Sequence, residues 1–179
     1  FRTSGLLNFS NPNDWTSLNN ITMKTIHLQP CDFTVREQRE AYLSLLCHYM
    51  VNPMGGMDHG LDAQQQQELV RQLSANPMCR CFLLSDGDRY VGFSTCFFIT
   101  STFKVKPYLY VHDLYVEESS EDKGLGTHLL SAIVDYARQQ GCCKVTLEVR
   151  SDNARAMHVY QKLGFVDCQP PMYFWTKTL

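Results

Sequence analysis

The sequence predicts an α/β chain in which helices are layered on a mixed, mostly antiparallel sheet, and three observations carry that prediction. Asp86-Gly87-Asp88 stands between two apolar runs, Cys81–Ser85 and Tyr90–Phe98, which is a strong hairpin signal. A third apolar run, Leu109–Val116, leads to Gly124-Leu125-Gly126-Thr127 and then to Leu125, Leu129, Ile133, Tyr136 and Ala137 at helical spacing, with Gly141 as the stop. A fourth run, Lys144–Val149, precedes Asn153, a good cap for a helix that ends before Gly164.

The remaining elements follow from the same rules. Thr25–Leu28 reads as a short strand. Asp32 is placed to cap a helix over Val35–Met50, with Ala41, Leu45, Leu46 and Tyr49 on one face. Asn52-Pro53-Met54-Gly55-Gly56 breaks that helix, and Asp62 caps the next, which runs through Leu73 to the stop at Asn76-Pro77. Phe165–Cys168 and Met172–Thr178 read as closing strands. Residues 1–22 are Asn- and Ser-rich without either periodicity, and Met23 resembles a natural start. They read as an upstream-encoded or vector-derived extension, or as an arm packed on a neighbour, ahead of one domain over 23–179.

Composition excludes several classes. Of 179 residues, 44% are hydrophobic and 12% aromatic, enough for a core and too many for a disordered chain. A net charge of −2 supplies no basic field for nucleic acid or an anionic membrane. No apolar run approaches the roughly 20 residues of a spanning helix. The eight cysteines sit mostly in apolar stretches, and neither Cys79-Arg80-Cys81 nor Cys142-Cys143 has zinc-ligand spacing, so they read as thiols and the expected location is the cytoplasm, with no metal.

The glycine turn carries the first chemistry. Unpaired amides at a helix start and the positive end of its dipole favour an anion, and Gly124 and Gly126 admit phosphate oxygens close to the backbone. An ordinary tight turn is the alternative reading. A dinucleotide fingerprint fails because leucine replaces the third glycine, and no Gly-Lys-Ser/Thr completes a P-loop. In the second segment Tyr160 lies two turns beyond Asn153 on the same helix face. By itself it could be a core aromatic whose hydroxyl has one partner.

Taken together, the two segments resemble the GNAT N-acetyltransferase superfamily, and the N-terminal half, with Asn52-Pro53-Met54-Gly55-Gly56 and Ser101-Thr102-Phe103 before His112-Asp113-Leu114, resembles a subgroup of small bacterial members. Its phosphate loop is Gln/Arg-x-x-Gly-x-Gly/Ala, and its second signature, Asn-x-x-Ala-x-x-x-Tyr-x-x-x-Gly-Phe, is met by Asn153, Ala156, Tyr160, Gly164 and Phe165. The resemblance spans Met23 to Leu179. It implies a sheet with splayed fourth and fifth strands, flanked by about four helices, and an acetyl-CoA-dependent N-acetyltransferase. It also implies that pantetheine lies along Leu114, Tyr115 and Val116, that pyrophosphate rests on amides of Asp122, Lys123, Gly124, Leu125, Gly126 and Thr127, and that Asn153 bonds near the pantetheine. Tyr160 then protonates the leaving thiolate, or only positions the cofactor. One position departs from the pattern: Glu121 replaces the family's Gln/Arg, which disfavours a pyrophosphate.

The acceptor implied is a primary amine of a small molecule, peptide or protein, attacking the thioester directly. His112 and Asp113 are candidates to attract the amine or take its proton, and simple alternation puts them on opposite faces; the alternative is a buried polar pair that fixes the strand. A homodimer is expected by analogy with this fold. The competing function is a non-catalytic acyl-CoA-binding module for sensing or assembly.

Overall fold

A computed structural model describes residues 26–117 and 124–179. Its described residues form five strands and four helices. The strands are β1 (Ile26–Pro30), β2 (Cys79–Asp86), β3 (Arg89–Ser101), β4 (Lys106–Val116) and β5 (Val145–Leu147). The helices are α1 (Arg36–Val51), α2 (Ala63–Ala75), α3 (Leu125–Gln139) and α4 (Ala154–Lys162). Strand order follows chain order, antiparallel from β1 to β4 and parallel between β4 and β5. The predicted residues 1–22, and the start of the first strand at Thr25, lie outside the described residues.

Each face of the sheet buries its own core. On one side Phe82, Leu84, Cys96, Phe98, Leu109 and Val111 meet Leu125, Leu129, Leu130, Ile133, Tyr136 and Ala137 of α3, so every apolar position predicted for that helix is buried. On the other, Cys81, Leu83 and Phe93 meet Tyr42, Leu45 and Leu46 of α1, with Leu69 and Leu73 of α2 at the margin. Alternation along β2 produces this division: even residues face α3 and odd residues face α1. Each fully buried Leu or Phe contributes about 1.5–3 kcal/mol, so the two layers hold the sheet rigid from both sides.

Local signals explain most boundaries. Asp62 accepts from the Gln65 amide at 2.9 Å while the Gln65 side chain accepts from the Asp62 amide, a complete capping box for α2. Gly87 takes the positive φ of 63° that the β2–β3 turn needs. Asp32 departs from expectation. Its carboxylate accepts from the amide and hydroxyl of Thr34, and α1 begins only after Val35, whose side chain makes no cap. The short side chain satisfies the turn ahead of the helix instead of the helix itself.

The closing strands are the main correction. Phe165–Cys168 and Met172–Thr178 form no strand, and Val166, Met172, Tyr173, Phe174 and Trp175 are exposed. Strand-forming composition requires a ladder partner, and among the described residues β5 pairs only with β4.

Candidate functional site

β4 and β5 share only three rungs: Leu109 with Val145, Tyr110 with Thr146 and Val111 with Leu147. β4 then continues to Val116 along β3, while β5 ends at Leu147. A parallel pair that closes for three residues and then parts leaves a fork, and beyond it Leu114–Val116 continue β4 along β3 past the last β5 rung. This is the splay expected from the resemblance.

A bulge in β4 decides which side chains reach the fork. Thr95 pairs with Asp113 and Cys96 with Val111, so His112 is the extra residue on β4. Asp113, opposite Thr95, faces α1, and its charge reaches the phenols of Tyr42, Tyr49 and Tyr110. The His112 ring packs on Phe97 and Tyr110, 6.0 and 5.8 Å between centroids, on the same side. The expectation of opposite faces is therefore corrected: a bulge interrupts the two-residue period, and the sequence carries no mark of it.

Tyr110 bridges the fork. Its hydroxyl donates to Glu148 Oε1 at 3.0 Å and lies 3.4 Å from His112 Nδ1. Burial and the two carboxylates, Glu148 and then Asp113, push this phenol up to about 12, so it remains a donor. Glu148 stands one residue beyond the last rung and carries a role the strand prediction did not assign it. A carboxylate at a strand end next to an aromatic-rich strand was the available signal.

α4 brings Tyr160 to the opposite wall. Asn153 caps the helix, its side chain accepting from the Ala156 amide at 3.0 Å. The Tyr160 carbonyl accepts from the amides of Leu163 and Phe165, and Gly164 takes a φ of 83° to close the helix. The Tyr160 ring lies half-buried, 6.0 Å from that of Phe165, and burial followed by the neighbouring Tyr49 pushes its phenol up to about 12. Tyr49 stacks at a tilt on Tyr115, 5.5 Å away. The Asn52–Gly56 segment is tied to the end of β5 by Arg150, whose Nη1 donates to the Pro53 carbonyl while its other nitrogens clasp Asp152.

The anion turn is partly described. Gly124, with φ 73°, is the N-cap of α3, and among the described residues no side chain caps the first amides of the helix. A Cβ added at Gly126 would meet no atom of the described residues within 4 Å. The Leu125 side chain is wholly buried in the α3 core, leaving its amide as the group a ligand could use. Thr127 is half-buried beside it. Glu121, Asp122 and Lys123 lie outside the described residues. Among the described residues there is no group of three or more metal-ligating side chains. Cys96 is fully buried with its thiol 3.4 Å from the Ser94 hydroxyl, and burial pushes it up to about 12, which makes it a packing residue and not a nucleophile.

A forked parallel pair, a glycine-started helix and a phenol on the following helix are the features that the resemblance to an acyltransferase fold implies. Residues 34–165 match the family model for the acetyltransferase (GNAT) family, and the chain belongs to that family. It is 32% identical over 81 residues to a thialysine N-epsilon-acetyltransferase of Bos taurus, a match spanning 45% of this chain and 47% of that one. It is 27% identical over 104 residues to an uncharacterized N-acetyltransferase of Bacillus subtilis (strain 168), spanning 58% of this chain and 70% of that one. The chain thus covers less than half the length of the bovine relative. A GNAT family acetyltransferase of Staphylococcus aureus superposes with a TM-score of 0.66 at 17% identity, over 87% of this chain and 99% of that structure, a likeness of fold.

Proposed function

We propose that this chain is an acetyl-CoA-dependent N-acetyltransferase in which a primary amine attacks the thioester directly. The observation that carries the reading is the β4–β5 fork with the Tyr160 phenol on α4 beside it. The Leu114–Val116 stretch of β4 beyond the last β5 rung, and a Gly126 position that no described residue crowds, fit an extended amide-bearing arm ending in phosphates. On this reading backbone groups of Leu114, Tyr115 and Val116 pair with the pantetheine amides, and the amides of Gly124 to Thr127 hold the pyrophosphate. Acetyl-CoA supplies an activated acyl group whose carbonyl the amine attacks.

The protein residues then divide the proton chemistry. Tyr160, held protonated by its burial, gives its proton to the departing thiolate sulfur. The attacking amine must first lose a proton, and His112 and Asp113, brought to one face by the bulge, are the groups positioned on the α1 side of the fork to take or relay it. The acceptor approaches between α1, the Asn52–Gly60 segment and the fork. A cytoplasmic location goes with reading the cysteines as thiols. Homodimerisation belongs to the same proposal: the outer edge of β5 and the exposed Met172–Trp175 run offer strand edge and apolar surface to a second copy.

The test begins with ligand-induced stabilisation. Acetyl-CoA at about 100 times its dissociation constant adds about 2.7 kcal/mol, a clear rise in melting temperature. A rise with acetyl-CoA and none with NAD, followed by thiol release on adding amines, is the expected result. No rise at millimolar acetyl-CoA overturns the reading. Glu121→Arg is expected to tighten acetyl-CoA binding by placing a cation beside the pyrophosphate.

A further inference from the structure

Resting on the acetyltransferase reading, we infer that Glu148, bridged by the Tyr110 hydroxyl to His112 at the fork, binds the acceptor's ammonium group and selects aliphatic cations over neutral or acidic amines. The register sets its position. Val111 and Leu147 form the last rung, so His112 on β4 and Glu148 on β5 are the first residues on either side where the strands part. The two are tied together across the opening, because the Tyr110 hydroxyl donates to Glu148 Oε1 at 3.0 Å and lies 3.4 Å from His112 Nδ1. Only one oxygen of Glu148 is engaged by Tyr110, and the residue is exposed at the mouth, so the other oxygen can meet a ligand.

The cations nearest in sequence are committed elsewhere. Arg150 clasps Asp152 with two nitrogens and reaches the Pro53 carbonyl with a third. Lys144 lies over the Tyr108 ring, 4.8 Å from its centroid. Asp113 adds a second negative charge that reaches Tyr110, so two carboxylates act on one hydroxyl in the fork. Phe97, Tyr110 and His112 present ring surface beside it, suited to the methylenes of an alkyl chain. An acceptor with its own carboxylate or phosphate would meet these charges at close range, whereas an alkylammonium gains a charge-assisted hydrogen bond.

The experiment compares wild type with Glu148→Gln and Glu148→Asp, using 1,3-diaminopropane, n-propylamine, β-alanine and a lysine-containing peptide as acceptors. Expected are a tenfold or greater rise in KM for 1,3-diaminopropane in Glu148→Gln, a change below threefold in kcat, rescue by Glu148→Asp and an unchanged acetyl-CoA dissociation constant. Wild type should prefer 1,3-diaminopropane and the lysine-containing peptide over β-alanine, and the reverse preference overturns the selection of cations. Amines acetylated equally well by Glu148→Gln overturn the role of Glu148 and leave the acetyltransferase reading standing. If acetyl-CoA binds but no amine is acetylated, that reading falls and calorimetry of 1,3-diaminopropane on the CoA-bound protein decides Glu148. Binding at least tenfold weaker in Glu148→Gln then sustains its role, and equal binding, or none to wild type, overturns it.

Discussion

The hydroxyls of Tyr42 and Thr95 lie 2.6 Å apart between α1 and the sheet, and both residues are buried to within 2%. Thr95 is also the rung opposite Asp113, so this bond anchors α1 at the level of the β4 bulge. Removing one partner leaves a buried hydroxyl without its bond. Tyr42→Phe is therefore expected to destabilise the fold by about 1–2 kcal/mol, read from urea denaturation midpoints at unchanged m-value. A variant as stable as wild type would show that water or another group takes the place of the phenol.

Tyr160 is the second residue whose hydroxyl can be removed with little change of shape. Phenylalanine keeps the contact with Phe165 and the helix that Asn153 caps. On the proposed mechanism kcat falls by about 10²–10⁴-fold, the usual range for a positioned general acid, while acetyl-CoA affinity changes by less than about threefold. Steady-state kinetics beside a direct binding measurement separate the two. Equal turnover would remove Tyr160 from the proton chemistry and leave it a packing residue.

Gly124 and Gly126 are expected to respond differently to alanine. At Gly124 the φ of 73° strains any L side chain, so Gly124→Ala destabilises the free protein by about 1 kcal/mol. At Gly126 an added Cβ meets nothing among the described residues within 4 Å, and alanine is a better helix former by about 1 kcal/mol, so the free protein is expected to be at least as stable. If phosphates pass close over this turn, Gly126→Ala nevertheless weakens acetyl-CoA binding. Thermal melts with and without acetyl-CoA check both halves. A Gly126→Ala protein with undiminished acetyl-CoA binding would move the pyrophosphate off this turn.

Local signals made most of the fold legible. The capping box at Asp62, the turn at Gly87 and the helical period from Leu125 to Ala137 are each satisfied within a few residues of chain, and each stands where the sequence puts it. Elements that depend on distant partners were less legible. Met172–Thr178 has the composition of a strand but no ladder among the described residues, whereas Asp32 was missed through a local competition, its carboxylate serving Thr34 in preference to the helix. In the site, the seven-residue spacing put Asn153 and Tyr160 on one helix face, and their expected roles came from the family resemblance. The shared face of His112 and Asp113 followed from neither, since it depends on one extra residue between the Thr95 and Cys96 rungs. Glu148 became visible as a partner of Tyr110 only when the β4–β5 register was known, 38 residues apart in the chain.

Alkaline pH gives the last expectation, and its sign follows from which state holds protons more tightly. Tyr110 and Tyr160 are both pushed up to about 12 when folded, from about 10, with burial the leading cause, and Tyr42 is pushed well above its ordinary value by burial. Burial likewise pushes the Cys31 and Cys96 thiols up to about 12, from about 9. The native chain therefore binds more protons than the unfolded chain between about pH 9 and 12, and stability falls as pH rises through that window. Below pH 9 these groups are protonated in both states and their contribution is complete. Melting temperatures measured under reducing conditions from pH 8 to 11.5 should be level at first and then decline, with a shallower decline for Cys96→Ala measured against its own pH 8 value. A level profile to pH 11.5 would mean that these thiols and phenols release their protons as readily folded as unfolded.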